Sequence, residues 1–229
     1  MRIKAVLLDL DDTLWPVAPL IQGAESALYA WMTIHTPSVV RFYSIEQLRA
    51  KRNALIKTDS RFEYDLWALR HTLLSRVFAE LGEDPQKADM AMAVFAHARN
   101  QVSMYDDVLP ALSELSEHVV LGTVSNGFAD LQAIGISAHF KVSLAAHSFG
   151  CAKPDPRIFL AACKELNVTP DQVMVVGDDL LLDVHAAQQV GMKGVWMNRH
   201  HVDLADTPHK QVRPDAIAAN LYELVKYLE

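Results

Sequence analysis

Two textures alternate along the chain. Short apolar runs occupy 3–9 (IKAVLLD), 119–125 (VVLGTVS), 142–146 (KVSLA), 173–178 (VMVVGD) and 193–198 (KGVWMN), rich in valine and bounded by Gly, Asp or Asn. Runs this short, without polar alternation, suit strands buried on both faces. Helical stretches at about 108–117, 128–134, 155–167 and 183–190 separate the later runs. Strands alternating with helices predict an α/β protein built on a parallel, doubly wound sheet.

Between the first two runs the pattern changes. Leu20, Ala24, Leu28 and Trp31 recur at helical spacing, as do Phe62, Leu66, Leu69, Leu73, Val77 and Leu81. Steps of three and four keep side chains on one helix face. Further helices are predicted at about 45–57 and 85–101, and no strand pattern interrupts them. Residues 17–102 therefore read as an all-helical insert, long enough to form a separate cap, within a core of 1–16 and 103–229. Its connections fall after Leu14 and near MYDDVLP at 104–110. Beyond Asn198 the chain is polar and irregular to Pro214, and then returns to a short strand and a closing helix.

Composition narrows the function classes. The 229 residues are 51% hydrophobic and 21% charged, the balance of a soluble globular chain with a substantial core. A net charge of −7 with no Lys/Arg run argues against a nucleic-acid partner. The opening apolar stretch, Ala5 to Leu8, is too short for a signal peptide or a membrane span. Cys151 and Cys163 show neither metal-ligand spacing nor a disulfide framework, so a cytoplasmic setting is expected. His200, His201 and His209 are expected in an exposed loop rather than at a metal.

The chemistry gathers where the apolar runs end. In an open α/β sheet, ligands bind outside the carboxyl ends of the strands. Asp9, Asp11, Asp12 and Thr13 follow the first run, and Ser125 and Asn126 the second. Lys153 lies beyond the third, in CAKPDP, and Asp178, Asp179 and Asp183 follow the fourth, in GDDLLLD. Each cluster alone has an ordinary structural role as a turn, a helix cap or a solvated charge. Together they describe a pocket of carboxylates, one amine and hydroxyl and amide donors. Carboxylates repel a phosphate unless a divalent cation lies between them, and hard oxygen ligands suit Mg²⁺. Lysine, serine and asparagine can then bind phosphoryl oxygens. One carboxylate can attack phosphorus while its neighbour two residues on handles the proton.

The segments DLDDTL, VSN, KPDP and GDDLLLD resemble, in order and spacing, the four motifs of the haloacid dehalogenase-type hydrolase superfamily. The resemblance implies a Rossmann-like doubly wound core and a helical cap of the superfamily's first class, opening and closing on its two connections. It implies Asp9 as nucleophile, Asp11 as general acid/base and Thr13 in support. It further implies Thr13, Ser125, Asn126 and Lys153 as phosphate-binding, and Mg²⁺ held by Asp9, the Asp11 carbonyl and Asp178. Asp183 would hold Lys153 or a metal-bound water, and Asp12 falls where relatives often carry Gly. Asp179 is left without a settled role at the metal.

Within that superfamily a Mg²⁺-dependent phosphatase of a small phosphorylated metabolite is expected. A 2-haloacid dehalogenase and a non-catalytic domain are the alternatives. Superfamily dehalogenases lack the acid two residues after the nucleophile, which this chain carries as Asp11. VSNGFADL, LAACKELNV and VGDDLLLDVHAAQQVGMKGVWM are similar to a bacterial branch that dephosphorylates flavin mononucleotide and the ribitylaminouracil phosphate of riboflavin synthesis. Nucleoside monophosphates, sugar phosphates and phosphoglycolate are alternative substrates. Arg49, Arg52, Arg61 and Arg70 are the cationic candidates of the insert. Trp15, just past the first motif, is expected either to stack on an aromatic leaving group or to anchor the hinge.

Overall fold

The computed structural model describes residues 2–228, and its six strands form one all-parallel sheet. They are β1 Ala5–Leu8, β2 Val120–Ser125, β3 Val142–Ala145, β4 Val173–Gly177, β5 Lys193–Met197 and β6 Ala216–Ala218. Their order is β3-β2-β1-β4-β5-β6. The chain thus winds outward from β1 to one side and returns to wind outward on the other, which makes the end of β1 a topological switch point.

The apolar runs follow from this placement. Leu8 of β1 lies opposite Thr123 on one side and Val176 on the other. Ala5 and Leu7 pack with Ile158 and Phe159 of helix Pro156–Leu166 and with Ala186 and Ala187. Val6 and Leu8 point to the opposite face and are equally buried. A strand paired on both edges and covered on both faces has no wet side, so AVLL is buried throughout.

The chain divides into two compact units. One takes the residues up to Pro16, Ser103–Gly127 and Gly135 onward, and holds the whole sheet. The other joins Val17–Val102 with Phe128–Ile134. Segment 128–134, placed with the core from its pattern, therefore groups with the helices. The Phe128 ring lies 6.1 Å from that of Phe95, and the Asp130 amide donates to the Asn100 side chain at 3.1 Å. Only its second half, Leu131–Ile134, is helical.

The helical unit contains helices Val17–His35, Pro37–Phe42, Ile45–Ile56, Leu66–Glu80 and Lys87–Arg99. Ser44 and Gln47 form a capping box at the start of the third, and the Asp65 carboxylate accepts the Ala68 amide at the start of the fourth. Leu28, Met32, Leu73, Val77, Phe78, Met92 and Phe95 share its core. The buried stripe of the fourth helix includes Leu74 and Phe78, while Leu66 is left exposed. The stretch predicted as a helix at 183–190 is a π-helical turn, Leu180–His185, running into Ala186–Gln189. The closing helix is a 3₁₀ segment, Leu221–Tyr227; its buried Leu221 and Leu224 are three apart, the spacing that eclipses side chains in a 3₁₀ helix.

Candidate active site

The strand ends meet in a cleft of about 210 Å³ lined by Asp9, Asp11, Asp12, Ser125, Asn126, Lys153, Asp178, Asp179 and Asp183, among others. Asp9 continues β1, its amide donating to the Val176 carbonyl at 2.9 Å. Asp12 then adopts a left-handed conformation with φ of 58°, and its amide donates to the Trp15 carbonyl at 2.7 Å. Asp is one of the few residues other than Gly that enters this region readily.

Lys153 is the hub of the site. Its Nζ donates to Asp9 Oδ1 at 2.5 Å and to Asp183 Oδ1 at 2.6 Å, with all three side chains buried. Burial alone would lower the lysine pKa, but the Asp183 and Asp9 carboxylates override it and hold the group charged. Asp183 Oδ2 in turn accepts the Asp179 amide at 3.1 Å. Asp179 caps the π-helical turn by accepting the Leu181 and Leu182 amides at 2.7 and 2.9 Å. Asp183 and Gly177 touch so closely that a β-carbon on Gly177 would overlap the carboxylate. Glycine at the end of β4 is what allows Asp183 to reach Lys153.

Asn126 braces the same lysine through its backbone. The Asn126 side chain donates to the Lys153 carbonyl at 3.0 Å and accepts from its amide at 2.8 Å. The Asn126 side chain thus braces the Lys153 backbone and keeps a second N–H, while the residue also lines the cleft. Ser125 Oγ accepts the Gly127 amide at 3.0 Å, and the residue lines the cleft.

Two expectations are corrected. Thr13 does not line the cleft: its side chain is fully buried, and its Oγ1 has no hydrogen-bond partner. Its carbonyl instead accepts Arg199 Nε at 2.9 Å, while Arg199 Nη1 reaches Asp107 Oδ1 at 2.8 Å. Trp15 is fully buried and cannot stack on a ligand. Its Nε1 donates to Asp11 Oδ1 at 2.8 Å, which fixes that carboxylate at the cleft. Sequence reasoning missed the roles of Trp15, Arg199 and Asp107. Only the four-residue spacing of Asp11 and Trp15 offered a local signal.

The acids form a site suited to a hard cation. Asp9, Asp178 and Asp183 each offer a carboxylate oxygen, all within 4.8 Å of one another. Three carboxylates here face the single ammonium of Lys153. Burial raises the Asp9 pKa well above its usual range, Lys153 opposes, and Asp183 and Asp178 add to the rise. Burial, Asp183 and Asp12 push Asp178 up to about 7. An all-oxygen set with this unbalanced charge fits a divalent cation. Among the described residues His200, His201 and His209 join no such cluster.

A doubly wound parallel sheet, with carboxylates, a buried lysine and a serine gathered at its switch point, is the setting of a hydrolase active site. The haloacid dehalogenase-like hydrolase model matches residues 3–191, and the chain belongs to that family. It is 26% identical to the Escherichia coli 5-amino-6-(5-phospho-D-ribitylamino)uracil phosphatase YigB over 99% of this chain and 97% of the relative. It is 32% identical to a glyceraldehyde 3-phosphate phosphatase of Methanopyrus kandleri over 86% of this chain and 84% of that one. Among solved structures, a protein described as a 2-haloacid dehalogenase from Pseudomonas syringae pv. Tomato superposes with a TM-score of 0.91 at 36% identity, covering 99% of this chain and 98% of the other. No helix among the described residues is long and apolar enough to cross a membrane.

Proposed function

We propose that this protein is a Mg²⁺-dependent phosphomonoesterase that hydrolyses a small phosphorylated metabolite through an aspartyl phosphate on Asp9. The observation that carries the reading is the pairing of two carboxylates at the end of β1 with separate partners. Asp9 is held by Lys153, and Asp11 is held by the Trp15 indole. One acid is thus placed beside a cation as a nucleophile, and the other is oriented apart from it to move a proton.

In this account Asp9 attacks phosphorus, and the bond to the leaving oxygen breaks. Asp11 gives that oxygen its proton, and the carboxylate left behind takes a proton from the water that attacks the aspartyl phosphate. That second attack returns Asp9 and releases inorganic phosphate. Lys153 and the Ser125 hydroxyl stabilise the charge on the phosphoryl oxygens. Asp9, Asp178 and the Asp11 carbonyl would hold Mg²⁺, which when bound neutralises the acids and lets an anion approach. Asp183 keeps Lys153 in place.

The relatives support phosphoryl chemistry and spread over several substrates: a ribitylaminouracil phosphate, glyceraldehyde 3-phosphate, phosphoserine and N-acetylmuramic acid 6-phosphate in their names. Similarity to the ribitylaminouracil phosphatase along nearly the whole chain favours that phosphate as substrate, with flavin mononucleotide the alternative suggested by the core segments' resemblance. The free, buried thiols of Cys151 and Cys163 suit a reducing cytoplasm.

The likeness to the Pseudomonas structure favours a second reading, a 2-haloacid dehalogenase that needs no metal. A departing halide takes no proton, so that chemistry leaves Asp11 and its indole clamp without a task. Turnover of these phosphates and of an aryl phosphate, with Mg²⁺ and with excess chelator, tests the two together. Chelator-sensitive phosphate release with no halide from 2-chloropropionate is expected. Halide release without phosphatase activity would establish the second reading.

A further inference from the structure

The helical unit holds a half-open cavity that shares no residue with the strand-end cleft. Glu25 stands in it against three arginines from two other helices, Arg49, Arg52 and Arg70. Arg49 takes most of the carboxylate: its Nε and Nη2 both meet Glu25 Oε2, at 2.6 and 2.5 Å. Oε1 is left 3.6 Å from Arg52 Nη1 and 3.7 Å from Arg70 Nη2, too far for a good hydrogen bond.

Arg70 is therefore in an unusual position. It is 6% exposed, its guanidinium lies 3.7 Å over the Phe95 ring, and its nearest carboxylate oxygen among the described residues, Glu25 Oε1 at 3.7 Å, is beyond hydrogen-bond distance. Buried polar groups favour close partners, because an unmet donor costs free energy. Burial and the neighbouring Arg52 lower its pKa to about 10, which still leaves it charged at neutral pH. One carboxylate against three guanidiniums leaves an excess of positive charge facing the cavity.

The remaining lining is mostly apolar, with Leu28, Met32, Leu48, Leu73 and Leu74 in it, and adds Tyr29, whose hydroxyl donates to the Val40 and Tyr43 carbonyls. The space is about 30 Å³, against roughly 10–15 Å³ for one water by the same measure. A carboxylate-sized head fits, whereas a nucleotide does not.

We propose that this cavity is a binding site for a small organic anion, a carboxylate with a short apolar end, separate from the phosphoryl site. Arg70 and Arg52 receive the carboxylate oxygens, and the apolar end lies against Leu28, Met32 and the leucines of Leu66–Glu80. A bound carboxylate would give Arg70 a closer acceptor than Glu25 offers it. It goes beyond the phosphatase reading, and its test reads binding rather than turnover.

Calorimetric or NMR titration of the full chain with acetate, propionate and butyrate, and separately with inorganic phosphate, tests it. Saturable carboxylate binding that tightens with chain length is expected, with shifts at Leu73 and Leu74. Arg70→Met should weaken it at least tenfold. Arg52→Gln, on a partly exposed side chain that leaves the fold intact, should weaken it severalfold. Both effects should persist in Asp9→Asn, which disables the strand-end cleft. Absence of saturable carboxylate binding, equal binding in Arg52→Gln, or preference for phosphate without dependence on chain length would each overturn the proposal.

Discussion

Gly177→Ala is a sharp test of how the site is built. A β-carbon at Gly177 would overlap the Oδ2, Cγ and Cβ atoms of Asp183. Asp183 has no free direction of retreat, because Oδ1 is held by Lys153 at 2.6 Å and Oδ2 by the Asp179 amide at 3.1 Å. Overpacking by a methyl group costs about 1–3 kcal/mol, and removing one partner of a buried ion pair about 3–5 kcal/mol. The two do not add, since breaking the pair is what relieves the overlap. A loss of about 2–4 kcal/mol is therefore expected, read as a lower urea midpoint with an unchanged slope. Turnover should fall further, on the order of 10²-fold, because Lys153 loses the acid that places it beside Asp9. Gly23→Ala is the control: it lies within helix Val17–His35 with nothing near its would-be β-carbon. That change should stabilise the protein by up to about 1 kcal/mol. A Gly177→Ala protein with normal midpoint and turnover would refute the claim that Asp183 positions Lys153.

Other substitutions probe the remaining contacts. Trp15→Phe keeps the buried ring but removes the donor to Asp11. A hydrogen bond to a charged group is worth about 1.5–3 kcal/mol, so kcat for an aryl phosphate should drop about 10–100-fold with KM little changed. An unchanged kcat would show that the indole does not orient the acid. Arg199→Met leaves Asp107 buried without its cation, since among the described residues its carboxylate otherwise receives the Leu221 amide alone, at 2.6 Å. Unfolding should become easier by about 3–5 kcal/mol, and an unaltered melting temperature would contradict that. Burial pushes the Cys163 thiol up to about 11 and raises that of Cys151 as well. Thiolate forms only as pH rises towards those values, so a water-soluble disulfide reagent at pH 8 should leave both thiols of the native protein unmodified. It should label both in urea. Rapid labelling of the native protein would show that the thiols are accessible.

Local pattern carried the fold a long way. Val-rich runs marked β1 to β5 because a strand buried on both faces leaves no room for polar alternation. The acids were visible because each directly follows an apolar run, where the chain emerges from the sheet. What pattern did not reveal is pairing at long sequence separation. Nothing near Asn126 announces that its side chain will brace the Lys153 backbone, nor does His200 announce that its neighbour Arg199 grips the Thr13 carbonyl. Residues 128–134 were misplaced for the same reason: their short helical pattern says nothing of Phe95 or Asn100 as partners. Motif position alone suggests a ligand contact for Thr13, whereas its orientation depends on a turn set by Asp12.

The central claim is that Asp9 carries the phosphoryl group. Rapid acid quench after mixing the enzyme with Mg²⁺ and an aryl phosphate, followed by peptide mass spectrometry, tests it directly. The account predicts one phosphoryl adduct on the peptide containing Asp9, more of it in Asp11→Asn, where the water-activating carboxylate is gone, and none in Asp9→Asn. Steady phosphate release with no adduct at Asp9, or release that survives Asp9→Asn, would contradict it.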